Sequence, residues 1–118
     1  MDFDINQSLG YHLSKANSLI RLTFNQLINS AGLASSAEQW GILNQIKLWP
    51  GMTQTELADR SGKDRTNITR MLDVLEREGR IERRRDPADR RSHRIYITAV
   101  GIELLGALAP LAFEANSR

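Results

Sequence analysis

The strongest constraint on the fold is an ordered series of helix boundaries between residues 53 and 79. Thr53-Gln-Thr-Glu56 has the spacing of a capping box and begins a short helix, which Ser61-Gly62 ends. A longer helix follows over about residues 64 to 78, and Gly79 closes it. Its predicted buried row is Ile68, Met71, Leu72 and Leu75. A short helix, a turn that contains glycine and a longer helix together predict a helix-turn-helix.

After this helix the spacing of apolar residues changes to a period of two. Ile81 begins one alternating run and Arg94-Ile95-Tyr96-Ile97 forms another. The charged segment between them contains the turn-forming pair Asp86-Pro87. This pattern predicts a β-hairpin with a long basic tip, which is a wing. Thr98 is expected to cap a last helix, which Pro110 is expected to kink.

Two further helices are predicted before the helix-turn-helix. The first covers about residues 6 to 31 and carries apolar residues at steps of three and four, with a second apolar row that widens the stripe. So wide an apolar face requires a partner surface, and another chain is one such partner. The next helix has overlapping capping boxes at residues 35–39 and ends at Trp49-Pro50-Gly51. Its side chains expected to face inward are Trp40, Leu43, Ile46 and Leu48. The predicted fold is therefore mainly α with a small β-wing, a winged helix-turn-helix with flanking helices.

Length and composition exclude several classes of protein. The 118 residues fit one domain, and 41% apolar with 25% charged residues is ordinary for a soluble globular chain. No apolar run approaches the roughly 18 residues of a membrane span, and the acidic start at residues 1–4 shows no secretory signal. The chain has no cysteine, and its two histidines, His12 and His93, lie far apart. We therefore predict no metal, no cofactor and no thiol chemistry, and a cytoplasmic location.

The charge is concentrated in the middle of the chain. The net charge is only +2, but residues 60–94 carry 12 basic and 7 acidic residues, a net +5. All of these basic residues except Lys63 are arginine, whose planar guanidinium suits phosphates and guanine edges. The distribution indicates a polyanionic partner, although a solvated charged surface would show the same composition.

The longer helix of the helix-turn-helix carries polar residues opposite its buried row. The candidates for contact with DNA there are Arg65, Thr66, Asn67, Thr69, Arg70 and Arg77. Residues near the start of such a helix reach base edges, where arginine matches guanine, asparagine matches adenine and the threonine methyl meets thymine. Asp73 is expected to pair with Arg70 or Arg77.

The predicted wing supplies a second set of contacts. Asp89 lies two residues before Arg91 and is expected to brace that guanidinium for insertion into a narrow minor groove. Arg84, Arg85, Arg90 and Arg94 are expected to contact phosphates. The alternative is that Asp86 and Asp89 only neutralise the charge of a turn.

These motifs resemble the MarR family of winged-helix transcription regulators. The matching segments are TQTELA at 53–58, DRTNITRMLDVLEREGRI at 64–81, DPADRR at 86–91 and ITAVG at 97–101. The resemblance covers the chain from about Gln7 onward. It implies a homodimer that binds a pseudo-palindromic operator in double-stranded DNA, usually as a repressor, with Arg91 as the minor-groove arginine and Asp89 as its brace. It divides the chain into an N-terminal dimerisation helix (1–34), a winged helix-turn-helix (35–100) and a C-terminal dimerisation helix (101–118).

The resemblance also implies an effector and raises a question about dimerisation. Many family members release DNA when a small aromatic or phenolic anion binds, and the candidate ligand residues here are Tyr11, His12, Arg21 and Trp40. Family members continue into a further C-terminal helix, whereas this sequence stops at Arg118. Either the chain is truncated, or dimerisation relies on the first and last helices alone.

Two other classes of function are an enzyme and a protein-interaction module. An enzyme is not expected, because the sequence has no glycine-rich phosphate loop, no cluster of metal ligands and no nucleophile motif. The alternative is a truncated winged-helix interaction module that forms mixed dimers with a full-length regulator.

Overall fold

A computed structural model describes residues 4–117, so that Met1–Phe3 and Arg118 lie outside the described residues. The prediction that no secretory signal is present rests partly on residues 1–3. The helices are a 3₁₀-helix (Ile5–Gln7), α1 (Leu9–Ser30), α2 (Ala37–Leu48), α3 (Gln54–Ser61), α4 (Arg65–Arg77) and α5 (Ala99–Ser117). The strands are β1 (Met52–Thr53), β2 (Ile81–Arg85) and β3 (His93–Ile97). This content confirms the prediction of a mainly helical fold with a small wing.

The chain divides into two compact units. Residues 38–108 form one of them, and residues 4–37 together with 109–117 form the other. The first unit contains the helix-turn-helix and the wing, and it also contains the first ten residues of α5.

The helix boundaries in the first unit follow from their capping residues. Thr53 Oγ1 accepts the Glu56 N–H at 3.2 Å, and Glu56 Oε2 accepts the Thr53 N–H at 3.4 Å, so the predicted capping box of α3 is present. Gly62 ends α3 at φ +70°, a conformation that only glycine adopts without strain. Asp64 Oδ1 then accepts the Asn67 N–H at 2.7 Å and caps α4.

The sheet has three antiparallel strands in the order β1-β3-β2. Strands β2 and β3 form the predicted hairpin, with Ile81 opposite Ile97 and Arg85 opposite His93. Strand β1 adds Met52 opposite Ile95, so that β3 is the central strand. Sequence analysis missed β1 because two residues cannot display an alternating pattern.

The core of the first unit confirms the predicted row on α4. Ile68, Leu72 and Leu75 are fully buried, and Met71 packs at the edge of the same cluster. The other buried members are Ile42, Leu43, Ile46, Met52, Leu57, Ala58, Ile81, Ile95 and Leu105. Full burial of each large aliphatic side chain contributes about 1.5–3 kcal/mol. Leu48, which was expected to face inward, is 67% exposed because it lies at the last position of α2.

The start of α5 is fastened to the turn between α4 and β2. The Thr98 hydroxyl donates to the Gly79 carbonyl at 2.6 Å, and its oxygen accepts the Gly101 N–H at 3.2 Å. The Thr98 N–H also donates to the carbonyl of Arg80 at 3.1 Å. A Cβ atom at Gly101 would overlap that carbonyl oxygen and lie 2.7 Å from Ile97 Cγ1. The Thr-x-x-Gly sequence is therefore required by a close approach of the α5 backbone to the turn.

The second unit is built mainly from α1 and the end of α5. Phe24 and Ile28 of α1 are buried, as are Ala112 and Ala115 of α5. Several large apolar side chains of this unit remain exposed, among them Leu9, Leu13, Leu19, Leu22 and Phe113. The α1 face therefore has more apolar surface than the described chain covers.

Helix α5 corrects one expectation about membrane segments. By length and composition alone it is apolar enough to span a membrane, with a mean hydropathy of 1.3, and 28% of it is buried. This finding corrects the expectation that no apolar segment approaches the length of a membrane span. Small residues and Pro110 separate the leucines of α5, and Glu103 and Glu114 are its only charged residues. Leu105 and Leu108 of this helix are buried in the protein, and a core helix of a soluble protein satisfies the same criteria.

Candidate nucleic-acid interface

The polar residues predicted on α4 lie on the side opposite its buried row. Those with exposed side chains are Arg65, Thr66, Thr69, Arg70 and Arg77, and Asn67 is half-buried. Asn67 Oδ1 accepts a hydrogen bond from Arg70 Nη2 at 2.9 Å. Thr69 Oγ1 donates to the Arg65 carbonyl at 2.9 Å and accepts from Gln54 Nε2 at 2.7 Å. Gln54 therefore links the start of α3 to the exposed side of α4.

A polar cleft lies between the starts of α3 and α4 and the wing. Its volume is about 410 Å³. The lining residues are Thr53, Gln54, Thr55, Arg65, Ile68, Thr69, Asp89, Arg91, Ser92 and His93. The structure thus brings Arg65 of α4, the recognition helix of the helix-turn-helix, and Arg91 of the wing to the wall of one cleft. Neither guanidinium has a hydrogen bond or ion pair within residues 4–117.

The base of the wing is held by Arg94 and Asp86. Arg94 Nη1 donates to the Gly51 carbonyl at 2.9 Å, and Nη2 lies 3.3 Å from Asp86 Oδ2. Asp86 is buried and also accepts the Ala88 N–H at 2.9 Å. Arg94 was predicted to contact phosphate, and here its guanidinium ties the wing to the turn before β1. Asp86 therefore neutralises and stabilises the turn of the wing, which is the alternative role that the sequence left open for Asp86 and Asp89.

The tip of the wing differs from its predicted geometry at Asp89. Its Oδ1 accepts the backbone N–H of Arg91 at 3.0 Å, and the Asp89 N–H donates to the Asp86 carbonyl at 3.3 Å. Asp89 therefore orders the backbone of the tip. Within residues 4–117 its carboxylate makes no ion pair with the Arg91 guanidinium, and its role as a brace for Arg91 on DNA stays a prediction. The side chains of Arg85, Arg90 and Arg91 are exposed. Arg84 pairs with Glu82 and stacks over the Tyr96 ring at 4.3 Å.

Arg83 is a residue of the interface that sequence analysis missed. Its Nη2 lies 2.7 Å from Asp73 Oδ1 and 3.0 Å from Glu76 Oε1, and its backbone N–H donates to Glu76 Oε2 at 3.2 Å. The expectation that Asp73 pairs with Arg70 or Arg77 is therefore wrong. The hydrogen bond from Arg83 lowers the pKa of the Glu76 carboxyl below its ordinary value, and the same bond raises the pKa of Arg83. The i, i+3 spacing of the two carboxylates on α4 was the signal that sequence analysis did not use.

The candidate ligand residues are distributed over the two units. On α1, Tyr11 and His12 are exposed and their rings meet edge to face, with centroids 5.7 Å apart, and Arg21 is exposed on the same helix. In the other unit, Trp40 is half-buried and packs against the hydrophobic core. Their role in binding an effector stays a prediction. Among residues 4–117 there is no group of three potential metal ligands.

A helix-turn-helix followed by a wing with exposed arginines defines the winged-helix class of DNA-binding fold. The sequence profile of the MarR family matches residues 35–93, which is half of the chain, and the chain belongs to this family. It is 32% identical to the transcriptional repressor CouR bound to a 23-mer DNA duplex, with a TM-score of 0.80 over 94% of this chain and 79% of that one.

Curated relatives give the same assignment. The transcriptional regulator HosA of Escherichia coli O111:H- is 30% identical over 73 residues, which are 62% of this chain and 54% of HosA. The transcriptional repressor MprA of Escherichia coli K12 is 43% identical over 56 residues, which are 48% of this chain and 32% of MprA. The chain thus spans between 32% and 60% of the length of the curated relatives it matches. MarR-family proteins are transcriptional regulators and not enzymes, which confirms the predicted family and the predicted absence of enzyme activity.

Proposed function

We propose that this chain is a cytoplasmic, DNA-binding transcription regulator that binds a pseudo-palindromic operator as a homodimer and acts as a repressor. The observation that carries the proposal is the placement of Arg65 and Arg91 on one polar cleft, each without a partner within residues 4–117. Separate elements hold the two arginines at the walls of this cleft. Arg65 of α4 would contact base edges, and Arg91 of the wing would enter the narrow minor groove. Thr66, Asn67, Thr69, Arg70 and Arg77 would complete the contacts of α4.

The wing would add phosphate contacts to those of α4. Arg85 and Arg90 are exposed without partners in the described chain, and Arg84 is exposed beside Glu82. Each neutralised phosphate releases a counterion, so binding weakens steeply as the salt concentration rises. Arg94 is the weakest member of the predicted set, because Gly51 and Asp86 already occupy its guanidinium.

Dimerisation would use the exposed apolar residues of the second unit. Leu9 is 72% exposed and Phe113 is 79% exposed, and Leu13, Leu19 and Leu22 of α1 are also exposed. Exposed apolar surface, where it is contiguous, marks protein interaction sites. A twofold pair of recognition helices would read half-sites about one helical turn apart.

The test is sedimentation equilibrium, without and with a duplex from the gene's own upstream region, at several salt concentrations. A dimer that binds the duplex with a steep salt dependence supports the proposal. Arg91→Ala is expected to weaken binding roughly tenfold and to reduce the salt slope by about one. Lys47→Ala is the matched control, because it removes one exposed cation at the end of α2, outside the cleft.

Three results would contradict parts of the proposal. Equal affinity of the Arg91→Ala and Lys47→Ala variants would refute the assignment of the wing. Absence of duplex binding by a well-formed dimer would refute the operator function. A monomer that binds the duplex only after mixing with a full-length family member would refute self-association and establish the mixed-dimer alternative.

We extend the proposal to release by a small aromatic anion. The exposed ring pair of Tyr11 and His12 supplies an aromatic surface on α1, and the exposed Arg21 of the same helix supplies a cation. Benzoate is expected to lower duplex affinity of the wild type and to have less effect on Arg21→Ala, as measured by fluorescence anisotropy. Equal effects on both proteins would remove Arg21 from the ligand site.

A further inference from the structure

Arg83 joins the first strand of the wing to the recognition helix. It lies at the middle of β2, opposite Ile95 of β3, and its side chain is only 18% exposed. Its guanidinium reaches two carboxylates of α4 at 2.7 and 3.0 Å, and its backbone N–H makes a third bond to the same helix. Charge-assisted bonds from one planar guanidinium to two acceptors restrict both direction and distance.

The neighbouring ion pair shows what is particular about these bonds. Arg84 donates from Nε to Glu82 at 2.6 Å, and both residues belong to β2. That pair stays within one strand and fixes no element relative to another. Asp73 and Glu76, in contrast, lie one turn apart on α4, so Arg83 connects two elements that carry different DNA-contact candidates.

The two carboxylates are poorly placed for any role in DNA affinity by themselves. Both are partly exposed on a helix that bears five exposed residues proposed to contact DNA, and a carboxylate near phosphates repels them. Their presence is explained if they hold Arg83. The pKa of the Glu76 carboxyl is lowered chiefly by the hydrogen bond from Arg83, as this arrangement requires.

We propose that Arg83 is a positioning residue for DNA binding: its bonds to Asp73 and Glu76 hold the wing strand β2 against α4, so that Arg65 and Arg91 are presented together. This inference rests on the proposed DNA-binding function. A wing that is already in place loses less conformational entropy when it enters the minor groove, so the bonds increase affinity without touching DNA.

The direction in which a charge-removing substitution changes the affinity for DNA distinguishes a positioning role of Arg83 from a purely electrostatic effect. Glu76→Gln and Glu82→Gln each remove one negative charge, but only Glu76→Gln removes a carboxylate that pairs with Arg83, which is then held by Asp73 alone. Electrostatics alone strengthens binding in both variants. Positioning predicts that Glu76→Gln binds the duplex roughly three- to tenfold more weakly than wild type, whereas Glu82→Gln binds equally or more tightly. Equal or tighter binding by Glu76→Gln would overturn the proposal.

A double-mutant cycle tests whether Arg83 acts through the wing. If loss of the Glu76 charge loosens the attachment of the wing, Arg91→Ala costs less affinity in that background than the roughly tenfold expected in the wild type. Arg83→Lys, which keeps the charge, is expected to bind between Arg83→Met and wild type. Additive losses of Glu76→Gln and Arg91→Ala would show that the Arg83 bonds do not position the wing.

Amide hydrogen exchange of the DNA-free protein separates this inference from the proposed function. Arg83→Met is expected to speed exchange in residues 81–91 while the amides of Leu72 and Leu75 stay protected, which also shows that the variant is folded. Unchanged exchange in the wing would overturn the positioning role even if the wild type bound no duplex. If the wild type bound no duplex but Arg83→Met exchanged faster in the wing, the proposed function would be refuted. The Arg83 bonds would still be established as a support of the wing.

Discussion

Substitution of Gly101 by alanine is expected to destabilise the protein, although alanine is the better helix former. Gly101 lies in the first turn of α5, where an exchange of glycine for alanine normally stabilises a helix by about 1 kcal/mol. Here the new Cβ would overlap the carbonyl oxygen of Arg80 and meet Ile97 Cγ1 at 2.7 Å. Backbone cannot rotate away as a side chain can, so the helix start must move.

The magnitude follows from opposing contributions to the free energy of unfolding. Overpacking against fixed atoms costs about 1–3 kcal/mol, near the upper end here because one of the atoms is backbone. Moving the helix also lengthens the hydrogen bonds of Thr98, each contributing about 1 kcal/mol. After the gain in helix propensity, we expect Gly101→Ala to lower the free energy of unfolding by about 2 kcal/mol. For a chain of this size this lowers the melting temperature by about 8 °C.

Gly106 supplies the matched control in the same helix. A Cβ there would meet no atom within 4 Å, so Gly106→Ala is expected to raise the free energy of unfolding by roughly 0.5–1 kcal/mol. Urea titrations followed by circular dichroism at one protein concentration measure both variants. A Gly101→Ala variant that is as stable as Gly106→Ala would refute the close approach of α5 to Arg80.

Three further predictions concern α4 and its neighbours. Asp64→Ala removes the cap of α4 and is expected to lower the free energy of unfolding by about 1 kcal/mol in urea titrations; no change would mean that the bond to the Asn67 N–H is replaced by water. Arg65→Ala is expected to relax the base preference at one operator position by roughly 1–3 kcal/mol in a competition assay, and an unchanged preference would remove Arg65 from base recognition. The Arg83 bond lowers the pKa of Glu76 below its ordinary value of 4.5, so it stabilises the fold above about pH 4.5 and this contribution is lost as the pH falls through the lowered pKa. The stability difference between wild type and Glu76→Gln is therefore expected to shrink from pH 6 to pH 3, and a constant difference would contradict the pairing.

Local signals made most of the fold predictable. Helix caps, closing glycines and the buried row of α4 each act on residues nearby in the chain, so their pattern is visible in the sequence. The caps are Thr53 and Asp64, and the closing glycines are Gly62 and Gly79. Strand β1 was not predictable in this way, because Met52 and Thr53 become a strand only through pairing with Ile95 and Arg94.

The sequence supplied the candidate DNA contacts on α4 and the wing tip, but it supplied neither the ion pairs around them nor the role of Arg83. The exposed arginines at the start of α4 and at the wing tip follow from charge and periodicity. The bonding partners of Asp73, Asp89 and Arg94 do not follow from charge and periodicity, because the geometry of the turns or the packing of β2 on α4 sets each contact. Sequence reasoning chose partners close in the chain. The structure pairs Asp73 with Arg83, pairs Arg94 with Asp86, and bonds Asp89 to the backbone rather than the guanidinium of Arg91.

The order of elements, the polar side of α4, the basic wing and the family all follow from the sequence, because periodicity, capping and motif spacing are properties of neighbouring residues. Three features emerge only from the folded structure: Arg83, ten residues after Asp73, pairs with α4, Arg94 supports the wing, and Gly101 must lack a side chain. These features depend on distances between elements, and such distances are fixed by the packing of the whole unit, where the shared core leaves one arrangement of α4, the sheet and the start of α5.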